Sequence, residues 1–162
     1  MSIINDKPAE EWIEKNHPKN GLFRAYWTED GHGISLEDTG FGIRYEWYYK
    51  DGKRVNGISR GWWSNGQLKL EFTFKNGKRD GLGTGWYKNG QKRLVRFYKN
   101  GKPDGLLTLW YENGQKKFEE NYKDGKKDGL ETGWYENGQK WFEGTYKNGK
   151  RNGKWTEWND NG

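Results

Sequence analysis

One 24-residue unit is written four times in succession, starting at Gly57, Gly81, Gly105 and Gly129, and a fifth copy begins at Gly153 and runs ten residues. Aligned, it reads Gly-x-x-x-x-Trp-(Tyr/Trp)-x-Asn-Gly-Gln-x-x-(Leu/Phe)-x-x-x-(Tyr/Phe)-Lys-(Asn/Asp)-Gly-Lys-x-(Asp/Asn), with no insertion or deletion from residue 57 to 152. A period this regular means a repeat architecture in which each unit packs on its neighbours. It argues against an enzyme built around one pocket.

Inside a unit, two short extended runs such as Leu82 to Tyr87 and Lys92 to Lys99 are separated by Asn-Gly, a strong hairpin signal, and a second Asn-Gly or Asp-Gly closes the unit. Two strands and two reversals per unit predict an antiparallel meander of about ten strands, all-β and one layer deep. Glycine at this density excludes helix, at about 1 kcal/mol per interior position. Only 30% of the chain is hydrophobic while 17% is aromatic, so eleven Trp and ten Tyr must supply the packing.

Three regions follow. Residues 1–20 read as a cap with a short helix near 8–16: Asp6 and Pro8 lie at its start, Trp12 and Ile13 form its apolar side and Pro18 ends it. Residues 21–56 are a degenerate lead-in, in which Tyr26-Trp27-Thr28-Glu29-Asp30-Gly31 and Glu46-Trp47-Tyr48-Tyr49-Lys50-Asp51-Gly52-Lys53 echo parts of the unit. Residues 57–162 carry the four full units and the partial one.

Which residues share a face depends on the loop register. A two-residue Asn-Gly turn puts Trp86 with Arg93; a three-residue turn with a Gly bulge puts it with Leu82, Leu94 and Tyr98. The second is preferred, because it gathers four apolar rows on one side: Leu82, Leu106, Leu130; Trp62, Trp86, Trp110, Trp134; Leu70, Leu94, Phe118, Phe142; and Phe74, Tyr98, Tyr122, Tyr146. The opposite face then carries Trp63, Tyr87, Tyr111 and Tyr135, and Gly61, Gly85 and Gly133 leave room for neighbouring rings.

The spacing of Trp-Tyr-x-Asn-Gly-Gln-Lys, followed by Phe-Glu-x-x-Tyr-Lys-Asn-Gly-Lys-x-Asp-Gly, closely resembles MORN-type repeats, in particular the bacterial variant labelled as the antitoxin component of a toxin and antitoxin module. Phe142 to Lys150 is the clearest instance, while Val95 and Arg96 depart from it. The resemblance implies a single-layer twisted sheet of hairpins. For function it implies scaffolding, membrane or phosphoinositide contact, or neutralisation of a partner toxin. A weaker likeness, through Gly-Trp-Tyr-Lys-Asn-Gly, is to the aromatic hairpins of choline-binding and glucan-binding cell-wall modules, which lack the Gln-Lys and Lys-x-Asp-Gly elements.

Catalytic chemistry has little to draw on. The two histidines, His17 and His32, lie outside the repeats, and of four serines Ser64 stands directly before a turn. His32 with Glu29, Asp30, Glu37 and Asp38 is polar but has no diagnostic ligand spacing, and there is no cysteine. No cofactor is expected. Asp80, Asp104 and Asp128 give way to Asn152 in the last unit, which points to turn structure rather than acid chemistry. The row Glu71, Glu119 and Glu143 reads as cross-strand partners for Lys or Thr.

Two lysine rows flank one set of turns, Lys50, Lys75, Lys99, Lys123, Lys147 before them and Lys53, Lys78, Lys102, Lys126, Lys150 after them. With a net charge of +6 they permit contact with an anionic ligand or lipid surface without requiring it. The regular ring rows read as packing rather than as a stack for bases, so no sequence-specific nucleic-acid binding is expected.

Variation within the constant frame falls at Lys69, Arg93, Lys117, Trp141; at Glu71, Val95, Glu119, Glu143; and at Thr73, Phe97, Asn121, Thr145. Read as three alternating positions on one face, these nominate Arg93, Phe97, Lys117 and Trp141, with Tyr87, Tyr111 and Tyr135, as an aromatic and basic binding patch. The expected function is a non-enzymatic repeat interaction module, bacterial or from a bacterial virus, binding a protein partner such as a toxin. The alternatives are a binder of anionic ligands (phospholipid headgroups, nucleotides or glycans) and a structural oligomerisation element. The start of the chain has no apolar run of signal-peptide length, so a soluble, cytoplasmic protein is expected. The strand from Gly153 to Asn159 is expected to be a reactive edge able to pair with a second copy.

Overall fold

In the computed structural model, residues 21–27, 34–35, 43–51, 53–54 and 56–160 are described, the side chains of 25–27, 34–35, 43–45 and 53–54 excepted. The proposed cap and its helix, His17, and the His32 cluster lie outside these residues. The strands are β1 (Gly21–Trp27), β2 (Ile34–Ser35), β3 (Ile43–Lys50), β4 (Lys53–Arg54), β5 (Gly57–Trp62), β6 (Leu68–Lys75), β7 (Lys78–Trp86), β8 (Lys92–Lys99), β9 (Lys102–Trp110), β10 (Lys116–Lys123), β11 (Lys126–Trp134), β12 (Lys140–Lys147) and β13 (Lys150–Glu157).

All pair antiparallel in one open sheet, in chain order from β13 back to β5, then β3, β1 and β2. β4 and β5 both pair with β3, at Tyr49 and Lys50 and at Tyr45 and Glu46 respectively. The all-β, single-layer hairpin sheet expected from the period is what forms. The described residues carry thirteen strands rather than about ten: nine, β5 to β13, belong to the repeats, and the lead-in supplies four, of which β2 and β4 are two residues each.

The two turns of each unit differ in kind. After Trp86, the Tyr87 N–H donates to Gln91 O and the Gly90 N–H to Tyr87 O, at 2.9 and 3.0 Å. With Gly90 at φ +85°, this is the three-residue hairpin with a Gly bulge. The other reversal is a two-residue turn: Lys99 pairs with Lys102 around Asn100 and Gly101, at φ +51° and +83°. Two consecutive positive φ angles mark the type I′ turn, which suits Asn-Gly and Asp-Gly.

A second bulge sets the faces, and it corrects the expected assignment. Trp86 pairs with Lys92, but Gly85 pairs with Leu94, leaving Arg93 as an extra residue on β8. The same extra residue is Lys69 in β6, Lys117 in β10 and Trp141 in β12. Because side chains alternate with a strict period of two, one inserted residue transfers everything beyond it to the other face. Leu82 therefore lies opposite Phe97 and on the same side as Trp86, while Leu94 and Tyr98 face the other way. The four apolar rows divide two and two.

On what we call the ring face stand Leu70, Leu94, Phe118, Phe142 and Phe74, Tyr98, Tyr122, Tyr146. The core lies here: Phe23, Trp47, Tyr49, Phe74, Tyr98 and Leu107 are buried. Gly83 and Gly133 admit the rings. A methyl group on Gly83 would fall 2.5 Å from the Phe72 ring, and one on Gly133 the same distance from that of Phe142. Gly133 thus has the expected role; Gly85 does not, since its nearest neighbour is the Leu94 Cβ at 3.6 Å. The other face, the threonine face, has Thr84, Thr108 and Thr132 buried along its middle and Leu82, Leu106 and Leu130 exposed beside them.

Candidate functional site

Six of the seven residues nominated from the sequence lie on one face, and Phe97 lies on the other. Arg93 Nε would lie 4.0 Å from a methyl on Gly85, beside the Leu94 Cβ, and the Trp141 ring lies 5.1 Å from Phe142 and 6.0 Å from Phe118. Arg93, Lys117 and Trp141 are thus on the ring face with Tyr87, Tyr111 and Tyr135: Lys117 Nζ sits 5.0 Å over the Tyr111 ring, and Trp141 packs 6.1 Å from Tyr135. Phe97 stands on the threonine face opposite Leu82. The three varying positions do not share a face, because the first of them is the bulge residue itself.

The nominated tyrosines are joints between units. Each hydroxyl donates to the carbonyl of the tryptophan one unit ahead: Tyr87 to Trp110 at 2.6 Å, Tyr111 to Trp134 and Tyr135 to Trp158, both at 2.9 Å. Trp63 does the same through Nε1 to Trp86 O. Burial pushes the Tyr87 and Tyr111 phenols above their ordinary range. Asn65, Asn89, Asn113 and Asn137 add a parallel ladder, their side-chain amides donating to Lys88, Glu112, Glu136 and Asp160 carbonyls.

The opposite row of turns is joined by the aspartates, in the structural role expected for them. Asp80 accepts from the Asn100 N–H, Asp104 from Asp124 and Asp128 from Asn148. The Asn148 N–H, with Lys147 Nζ at 3.2 Å, holds the Asp128 carboxyl below its ordinary range. Asn56 plays the same part toward Asn76, which explains why Asn can replace Asp here. Glu119 lies between Thr108 and Thr132 and Glu71 beside Thr84, as the cross-strand reading requires. Their ion partners are Lys116 and Arg60, and Glu143 pairs with Lys140.

One group escaped the sequence reading altogether, the middle row of the ring face. There Phe72 pairs with Gly83, Arg96 with Leu107 and Glu120 with Glu131, and the Trp155 ring lies directly over Gly144. In the two pairs that contain glycine the ring occupies the space the glycine leaves. In the third unit the row is ionic: Lys127 Nζ bonds Glu120 at 3.1 Å and Glu131 at 2.8 Å. Tyr122 donates to Glu120 at 2.7 Å, and burial, then this hydrogen bond and the Glu120 charge, push its phenol up to about 12. Burial works against the Lys127 charge, but the bonds to Glu131 and Glu120 prevail and its ammonium is raised. The signal was present, since positions 72, 96, 120 and 144 read Phe, Arg, Glu, Gly while 83, 107, 131 and 155 read Gly, Leu, Glu, Trp. It becomes legible only once the register pairs the two sets.

The threonine face holds the feature that packing leaves unaccounted for. Its apolar row stays half open across the sheet: Ile58 38%, Leu82 51%, Phe97 44%, Leu106 46% and Leu130 46% exposed. The row is continuous through the pairs Ile58 with Thr73, Leu82 with Phe97, Leu106 with Asn121 and Leu130 with Thr145. Lys75, Lys78, Lys99, Lys102, Lys123, Lys126, Lys147 and Lys150 are exposed along the edge beside it.

No curated protein matches this chain. Among protein families, the MORN repeat variant matches residues 55–76, 103–124 and 127–148; the intervening unit is the one in which Val95 and Arg96 depart from the pattern. Three of its repeats are thus of the MORN type, and the same three-residue hairpin geometry recurs in the unit between them.

Proposed function

We propose that this chain is a non-enzymatic interaction module that binds another macromolecule through the threonine face of its sheet. The observation that carries this reading is the exposed row Leu82, Leu106 and Leu130 with Phe97. Four large apolar side chains in one line, on a face that leaves them half exposed among the described residues, are the composition of an interaction surface. An aliphatic residue recurs at the leucine position in all four full units, Ile58 in the first, although about half of each leucine side chain stays exposed. A protein partner fits best, and an antitoxin or immunity role in a bacterium or its virus, acting in the cytoplasm, is the specific form we favour. The test is to express the chain with the product of the adjacent gene. Growth rescue and a stable complex, both lost in Leu106→Glu, are the expected result; rescue that survives Leu82→Glu, Leu106→Glu and Leu130→Glu together would move the site off this face.

A second reading, contact with an anionic ligand such as a phospholipid headgroup, nucleotide or glycan, draws on the lysine edge. There Lys75, Lys99 and Lys123 stand exposed about 10 Å apart, two strand spacings. Binding to anionic vesicles that is lost in Lys99→Glu and unaffected by Leu106→Glu would favour it over the first.

A further inference from the structure

Resting on the reading that the threonine face binds a macromolecule, we infer that the apolar row is the seat of an acidic amphipathic α-helix of about 20 residues supplied by a partner protein. Ile58, Leu82, Leu106 and Leu130 stand at equivalent positions of four successive units. Each step crosses two strands, about 9.4 to 9.8 Å, so the row is roughly 29 Å long. Seven residues of α-helix rise about 10.5 Å, and a 20-residue helix spans about 30 Å. A helix with apolar residues in a heptad pattern, laid across the strands, meets one leucine or isoleucine per two turns. An extended segment covers the same step in about three residues, which turns every second contact away, because strand side chains alternate.

Charge selects the kind of helix. On one side of the row lies the lysine edge, where Lys75, Lys99 and Lys123 follow Thr73, Phe97 and Asn121 by two residues, about 7 Å along the strand. On the other side most ions are already matched, Arg60 with Glu71 at 2.8 Å, Lys116 with Glu119 at 2.7 Å, and Lys140 with Glu143; the exception is the exposed Lys92, whose unit has Val95 in place of the glutamate. The surface therefore carries a row of cations along one flank and a single unmatched cation, Lys92, along the other, and an occupant with carboxylates along one flank complements it. A second copy of the chain does not. Stacked face to face, its lysine edge falls either on the same lysines or on glutamates that already hold partners.

The experiment uses the full chain and labelled 21-residue peptides, followed by fluorescence anisotropy. The first has leucine at two positions of each of three heptads and glutamate along one flank; a second has lysine in place of glutamate; a third has leucine every third residue in a proline-rich sequence. Phosphatidylserine vesicles and sedimentation of the chain alone complete the set. The glutamate peptide is expected to bind at least tenfold tighter than either other peptide and to weaken with salt. Leu106→Glu should reduce its affinity tenfold or more with an unchanged melting temperature, and the double variant Lys99→Glu, Lys123→Glu should transfer the preference to the lysine peptide. Equal binding of the glutamate and lysine peptides, tighter binding of the proline-rich one, vesicle binding that Leu106→Glu abolishes, or a dimer that Leu106→Glu dissociates would each overturn the inference. If the adjacent gene product binds in a Leu106-dependent way while the glutamate peptide does not, the helix is refuted and the binding face stands. If Leu106→Glu affects neither, both fall.

Discussion

The two faces of this sheet are made by the same strands and obey opposite rules. On the ring face residues change from unit to unit, and several of the changes are answered across the strand: Phe72 lies against Gly83, the Trp155 ring covers Gly144, and Glu120 and Glu131 share Lys127. On the threonine face the leucine row hardly changes, yet about half of each side chain is exposed. Variation in a repeat is therefore a poor guide to a binding site in this protein. Variation with a compensating partner is packing, whereas constancy without a packing partner is what needs a functional account.

The comparison breaks first if the ring face tolerates volume. Gly83→Val puts methyl groups where the Phe72 ring already is, with Tyr98 Cε2 3.2 Å from even the first carbon. The expected loss is about 2 to 3 kcal/mol, read as a lower denaturation midpoint. A midpoint equal to that of the wild type would mean that the ring face is loosely packed and that the distinction between the faces is wrong.

A smaller loss should follow Tyr111→Phe. It removes the hydroxyl that joins one unit to the Trp134 carbonyl and leaves the ring in place, at about 1 kcal/mol. Tyr111→Ala should cost more, because the ring beneath Lys117 goes too. Any effect of it on partner binding must then be read against its effect on the fold. If Tyr111→Ala melts with the wild type, the tyrosine row is a surface feature, and the ring face regains its claim as a binding site.

The ionic unit of the ring face should show in alkali. The Tyr122 phenol, held up to about 12 in the folded chain against 10.0 unfolded, contributes stability that is complete below pH 10 and is lost as the pH rises toward 12. Urea midpoints measured across that window should fall more steeply for the wild type than for Tyr122→Phe. Parallel curves would show that burial and the Glu120 bond do not shift this group. The smallest effect is expected on the other side of the sheet: Leu106→Ser, at an exposed position, should change stability by no more than about 0.5 kcal/mol. A loss of 2 kcal/mol or more there would mean that the leucine row is core, and would remove the support for the proposed binding face.

By itself the sequence determined the period, the all-β meander and the structural duty of Asp80, Asp104 and Asp128, and it favoured the three-residue turn at Asn-Gly without excluding the two-residue one. The turns are local, needing particular φ angles within four or five residues that Asn, Asp and Gly adopt at little cost; the aspartates were legible through Asn152 standing in for them, although their bonds run 20 residues to the next unit. The allocation of side chains to faces was decided only by the tertiary structure. It hangs on one extra residue per hairpin, at Arg93 and its equivalents, and a bulge has no residue signature as clear as Asn-Gly. That single insertion moved Leu94 and Tyr98 away from Leu82, placed Arg93, Lys117 and Trp141 with the tyrosines and left Phe97 with the leucines. The joints between units were hidden for a related reason. A hydroxyl such as that of Tyr87 reaches a carbonyl 23 residues away, Trp110 O, only because the strands between them stack at fixed spacing in the sheet.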